Sequence, residues 1–230
     1  MGNEWKRRSE LLLGEKFVSL LAGKKILIAG IGGVGGFASE ELVRSGVGAI
    51  TFVDGDCVEV SNLNRQIVAT TATLGKYKAQ VMADRAREIN PQGIFRAENI
   101  FLNSQNIPAL LTGFDLVVDC IDDVPAKVEM LQFCYQNGIP CVSSMGAAEK
   151  RDPTAVRIAD ISKSFNCNLA KKVRHELRLR GVNDGLTVVF SSEKAAVKPA
   201  NCRRELGSFA PVVGAFGCAV AAAAIEQLGR

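Results

Sequence analysis

At 230 residues, with 47% hydrophobic and 23% charged side chains, the chain can bury a sizeable core, which excludes disordered and fibrous classes. Its seven cysteines (Cys57, Cys120, Cys134, Cys141, Cys167, Cys202, Cys218) form no Cys-x-x-Cys pair, which argues against a paired-thiolate zinc site and a disulfide scaffold. The net charge of +4 is uneven: Lys150 to Arg204 holds 13 basic and 5 acidic residues, so a polyanionic partner is expected for that segment.

The first fifteen residues are polar and lack a signal-peptide core, so a reduced, cytoplasmic protein is expected. Lys25 to Ala29 reads as a short buried strand, followed by a glycine-rich turn and a helix over Phe37 to Arg44. A second apolar strand runs from Ala49 to the acid Asp54. Helical periodicity follows over Lys76 to Ile89, stopped by Pro91, and Phe95 to Ala97 is a weaker strand. Leu116 to Cys120 is a strong apolar run, and Pro125 suits the first turn of a helix reaching Gln136. Ile139 to Ser143 is another buried strand. Such alternation predicts an α/β fold, a doubly wound and mostly parallel sheet with helices on both faces.

After Gly146 the pattern loosens. Leu169 to Arg180 is amphipathic, with Leu169, Val173 and Leu177 on one face and Lys171, Arg174, His175 and Arg178 on another. Leu186 to Ser191 reads as a strand and Ser192 to Gly207 as a basic loop. The stretch from Phe209 to Ile225 has 17 uncharged residues, at the short limit for a membrane span. Its Pro211, Gly214 and Gly217 favour a buried helix packed on the sheet, without stable membrane insertion.

The turn Gly30-Ile31-Gly32-Gly33-Val34-Gly35-Gly36 has the composition that lets backbone amides approach a phosphate at a helix N-terminus. Asp54, 19 residues after Gly35, suits ribose hydroxyls. These features predict nucleotide binding but leave NAD and ATP both open. The next segment favours a triphosphate, because Arg65 and Lys78 follow the ribose strand and several cations suit its charge. Asp122, at the carboxyl end of the third strong strand, is suited to hold Mg²⁺ against phosphates.

Five motifs in order resemble the adenylating domain of the ThiF/MoeB/HesA superfamily: the glycine turn, Asp54-Gly55-Asp56, Ser61 to Gln66, Gly75 to Lys78, and Asp119 to Asp122. The resemblance implies a Rossmann-like fold. It also implies ATP binding by Gly30, Gly32, Gly33, Gly35, Asp54, Asp56, Asn62, Arg65, Gln66, Lys78 and Asp122. Arg65, Lys78 and Asp122 would serve adenylation, with Asp122 at the metal. A homodimer is implied, in which Arg8 reaches across to the partner's ATP. Cys202 occupies the place where a thioester or reactive cysteine of the superfamily would sit, with Arg203 and Arg204 beside it to lower its pKa.

Later segments, Asp152 to Lys163, Asn168 to Arg178 and Val188 to Glu193, resemble the tRNA threonylcarbamoyladenosine dehydratase branch. This implies that the modified tRNA is the substrate, held by Lys171, Lys172, Arg174, Arg178, Arg203 and Arg204. ATP and Mg²⁺ would be required and no zinc, and a sulfur-transfer protein is a further implied partner. The competing substrate is the C-terminal glycine of a ubiquitin-like sulfur carrier. The expected organisation is one adenylating domain over residues 1–230. Within it, 1–146 would bind ATP, and 147–230 would be a basic, substrate-facing extension with the C-terminal helix.

Overall fold

The computed structural model describes residues 3–194 and 206–230. Cys202, Arg203 and Arg204, with most of the expected Ser192–Gly207 loop, lie outside the described residues. In chain order come helices α1 (Arg7–Leu13) and α2 (Glu15–Ala22), then β1 (Lys25–Ala29), α3 (Gly33–Arg44), β2 (Ala49–Val53), α4 (Lys78–Ile89) and β3 (Ile94–Glu98). After them follow α5 (Ile107–Leu111), β4 (Leu116–Asp119), α6 (Val124–Gln136), β5 (Cys141–Ser144), β6 (Val156–Asp160), α7 (Asn168–Leu179), β7 (Thr187–Ser191) and α8 (Ala210–Leu228).

One sheet holds all seven strands in the order β3-β2-β1-β4-β5-β7-β6. Every neighbour is parallel except β6, which runs antiparallel to β7 at the edge. Because side chains alternate along a strand, the two faces carry different cores. Ile26, Ile28, Phe52, Val118 and Val142 pack under α3, α4 and α8. Leu27, Ala29, Val53, Val117 and Val188 pack under α5, α6 and α7. The doubly wound sheet is therefore the predicted one. The basic segment, as far as it is described, is built into it: β6, α7 and β7 complete one half.

Two elements differ from the sequence reading. Helix α3 begins at Gly33, inside the glycine turn, because the turn and the helix share residues. Strand β6 gave no signal, since as an edge strand it buries little of its side-chain surface. The last helix, α8, is long and apolar enough to cross a membrane by length and composition. It instead lies along α3 and over β5, β6 and β7. Val212, Phe216, Val220 and Ala224 are fully buried there.

Candidate active site

Strand order reverses between β1 and β4, since β1 has β2 on one side and β4 on the other. In open α/β sheets the crevice at the carboxyl ends of such strands is where ligands bind. The glycine turn leaves β1 at this point. Gly30 adopts φ +85°, and a Cβ there would lie 2.8 Å from the carbonyl carbon and oxygen of Cys120. At Gly35 a Cβ would lie 1.8 Å from the Gly30 carbonyl oxygen. Side chains at either position would push the turn off the end of β4 and uncouple the α3 N-terminus from the crevice.

Asp54 follows β2 and closes the turn from the side. Its Oδ2 accepts the Ile31 amide at 2.6 Å and its Oδ1 accepts the Asp56 amide at 2.8 Å. Burial raises its pKa above the usual carboxylate value, opposed by those two amides and by the Lys78 charge. Each carboxylate oxygen keeps a second lone pair, so the group that shapes the turn still has acceptors to offer.

The cations stand on the same side. Lys78, the first residue of α4, is buried, and its Nζ lies 2.8 Å from Asp56 Oδ2. Arg65 follows a 3-10 turn at Val60–Asn62 and donates from Nη1 to the Ser61 carbonyl at 2.9 Å and Asn64 Oδ1 at 2.8 Å. Its stem lies against the glycine turn, 3.8 Å from where a Gly33 Cβ would be. Asn62 is buried and accepts the Glu59 amide through Oδ1 at 3.1 Å. Gln66 Nε2 would lie 3.8 Å from a Cβ on Gly32, and its buried Oε1 has no hydrogen-bond partner among the described residues. A phosphate oxygen can take a hydrogen bond only from a donor, so it is Nε2, on the side of the glycine turn, that suits such a ligand.

Two adjacent carboxylates at the end of β4 behave differently. Asp123 caps α6, accepting the Ala126 amide at 3.0 Å. Asp122 is exposed and has no ion pair or hydrogen bond among the described residues. No group of three His, Cys, Asp or Glu side chains converges among the described residues. Asp122 thus stands as a single carboxylate without protein partners among the described residues. Burial, and next the nearby Asp119 charge, push the Cys120 thiol up to about 12. At neutral pH this sulfur is a protonated, poor nucleophile.

Beneath the crevice lies a network absent from the sequence reading. Lys127 is fully buried, and its Nζ donates to Asp119 Oδ2 at 2.6 Å, Ser144 O at 3.0 Å and Ser143 Oγ at 3.3 Å. Ser143 Oγ donates to the same Asp119 oxygen at 2.5 Å, and Asp119 Oδ1 accepts the Ile121 amide at 3.1 Å. These bonds clamp the ends of β4 and β5 to α6, immediately before Asp122. The available signal was Lys127 itself, in register with Leu131 and Cys134 on the buried face of α6.

Other predicted residues are not gathered here. Arg8 is exposed on α1, without a partner among the described residues. Nearby Lys6 lies against Gly46, before β2, at the opposite edge of the sheet, so Arg8 is remote from its own chain's crevice. Lys171, Lys172 and Arg178 are exposed on α7. Arg174 is half-buried and tied down, donating from Nη1 to the carbonyls of Ser164 at 2.9 Å and Ile161 at 3.3 Å.

A model of the ThiF family matches residues 7–230. A tRNA threonylcarbamoyladenosine dehydratase of Bacillus subtilis (strain 168) is 40% identical over 202 residues, covering 87% of this chain and 80% of the relative. A crystal structure of the Escherichia coli tRNA N6-threonylcarbamoyladenosine dehydratase in complex with ATP superposes with a TM-score of 0.90 at 35% identity, covering 99% of this chain and 96% of the other. A molybdopterin-synthase adenylyltransferase of Escherichia coli (strain K12) is 31% identical over 208 residues, covering 90% of this chain and 75% of the relative.

Proposed function

This chain belongs to the ThiF family, and from that premise we propose that it uses ATP to dehydrate threonylcarbamoyladenosine in tRNA. The observation that carries this reading is the crevice at the β1/β4 reversal, where a glycine turn, two cations and an unpaired Asp122 meet. Asp54 would receive the ribose, and Asn62, Arg65, Gln66 and Lys78 the phosphates. Asp122 would hold Mg²⁺, which when bound neutralises phosphate charge.

The threonyl carboxylate attacks the α-phosphorus and pyrophosphate leaves. The neighbouring carbamoyl group then attacks the acyl adenylate and AMP departs, carrying the oxygen of the lost water. Because that nucleophile belongs to the same molecule, a high effective molarity replaces an enzyme nucleophile. A neutral Cys120 is compatible with this chemistry.

The alternative substrate is the terminal glycine of a ubiquitin-like carrier protein, as the 31% identity to a molybdopterin-synthase adenylyltransferase would suggest. The basic segment and the 40% identity to a dehydratase favour the tRNA. The test is mass spectrometry of nucleosides from tRNA bearing threonylcarbamoyladenosine, incubated with the protein and ATP·Mg²⁺. Loss of one water is expected. An unchanged nucleoside in the presence of bound ATP would overturn the reading in favour of the carrier protein.

A homodimer is part of this proposal. Leu11, Leu12 and Leu13, the last turn of α1, are 66%, 84% and 44% exposed, an apolar helix end suited to a second copy. Arg8 on the same short helix is free to act only on another chain's crevice. Leu12→Arg is expected to convert a dimer to monomer in light scattering. Mixing Arg8→Ala with Asp122→Ala protein should regenerate activity, because the dimer would then hold one crevice with both groups; no recovery would remove the trans role.

A further inference from the structure

A second cleft lies on the carboxyl edge of the sheet, on the β7 side. It encloses about 450 Å³ and is lined by Phe165, Asn166, Cys167, Lys171, Arg174 and Lys194, among others. Its floor is firmly held. Lys150, buried, donates to the carbonyls of Asn166 and Glu193, and Asn166 Nδ2 donates to Ser192 O at 2.7 Å. Asn166 adopts φ +53°, a left-handed conformation that turns the chain into α7. A Cβ on Gly146, just beyond β5, would lie 3.5 Å from Cys167 Sγ, so the cleft opens on the same edge as the crevice. Three strand spacings, about 14 Å, separate β7 from β1.

The chemistry of the lining is specific. Among the described residues three cations line it, Lys171, Lys194 and the carbonyl-bonded Arg174, and no carboxylate does. Lys171 and Lys194 form no ion pair among the described residues. Glu193, the nearest acid in sequence, is turned away and accepts the amides of Arg151 and Asp152, each at 3.0 Å. The α7 N-terminus adds first-turn amides without intrahelical partners. Phe165 is 51% exposed although its ring meets Phe190 edge-on at 5.3 Å and 71°. That contact orients the ring while about half of the residue stays open to solvent. An anion-attracting cleft with an oriented, half-exposed aromatic ring matches a single-stranded nucleotide, whose base stacks while its phosphate meets cations.

We infer that this cleft binds a nucleotide of the substrate RNA flanking the base that enters the crevice. The inference rests on the tRNA reading above. A base can reach the crevice only when drawn out of its stack, and its neighbours then need new stacking partners. Phe165 provides one within the span of a few nucleotides.

The test measures fluorescence anisotropy of substrate tRNA binding to the 230-residue chain with ATP present, over a salt series. Phe165→Ala is expected to weaken binding roughly 5- to 150-fold, the range for losing one base stack, and Phe165→Trp to retain it. Lys171→Ala and Lys194→Ala should each lower the slope of log K against log salt by about 0.7. ATP affinity, measured separately, should not change, which shows that the variants are folded. Wild-type tRNA affinity and slope in all of them would overturn the inference. Loss in the lysine variants alone, with Phe165→Ala at full affinity, would mark a bare anion site and also overturn it. A wild-type protein that binds tRNA with these dependences yet leaves its threonylcarbamoyladenosine intact would sink the proposed reaction and support the cleft.

Discussion

Asp122→Ala is expected to lower conversion of threonylcarbamoyladenosine at least about 100-fold while leaving the fold intact. Removing one preorganised group that stabilises developing charge costs about 10²–10³ in turnover. Asp122 is the carboxylate best suited to such work, being exposed at the end of β4 and without a protein partner among the described residues. Since it supports no neighbour, its loss should not reduce the melting temperature. Asp123, one residue on, gives the contrast. It caps α6 through the Ala126 amide, so Asp123→Ala should cost stability, about 0.5–2 kcal/mol, with little effect on turnover. The two variants are compared by nucleoside mass spectrometry and thermal melting. If Asp122→Ala turned over normally, or if Asp123→Ala alone abolished turnover, the metal-holding role of Asp122 would be wrong.

The contrast between these two residues shows what sequence can carry. The glycine turn, the acid at Asp54 and the acid at Asp122 were legible because backbone demands fix them: a Cβ at Gly35 would overlap Gly30, and strand ends are where ligands meet an α/β sheet. Strands β1, β2, β4, β5 and β7 were legible because both their faces are buried and they read as apolar runs. The weak signals were the edges. β3 was faint and β6 silent, since each pairs on one side only, and Arg157 and Ile158 of β6 are exposed. The start of α3 was misjudged because four of its first residues are Gly, Val, Gly and Gly, poor helix formers overridden by packing against α8. Arg174 was assigned to the outer face of α7. It adjoins the buried Val173, and its long aliphatic stem carries the guanidinium back to the carbonyls of Ser164 and Ile161.

The Lys127 network escaped for a related reason: a lysine counts as polar until its partner is known. It also supports the second large prediction, that Lys127→Met destabilises the protein by about 3–5 kcal/mol, the cost of stranding one member of a buried ion pair. Asp119 would be left with Ser143 and the Ile121 amide but no cation, in a position with no solvent exposure. In a chain of this size the loss corresponds to a drop in melting temperature of roughly 6–20 °C. The pH dependence distinguishes a stranded charge from a simple packing defect. Burial already raises the Asp119 pKa, and Lys127 opposes that rise. Without Lys127 the folded-state pKa moves further up, while the unfolded value stays ordinary. Stability that depends on a protonated Asp119 is complete below the unfolded pKa and is lost as pH rises through the folded one. The deficit of Lys127→Met relative to wild type should therefore shrink as the pH is lowered from neutrality. Adding Asp119→Leu to Lys127→Met removes the stranded charge and should recover part of the loss. Denaturant melts of the three proteins between neutral and mildly acidic pH measure both effects. A deficit independent of pH, together with a double variant no more stable than Lys127→Met, would mean that Lys127 acts by filling space, and that charge plays no part in clamping β4 and β5 below Asp122.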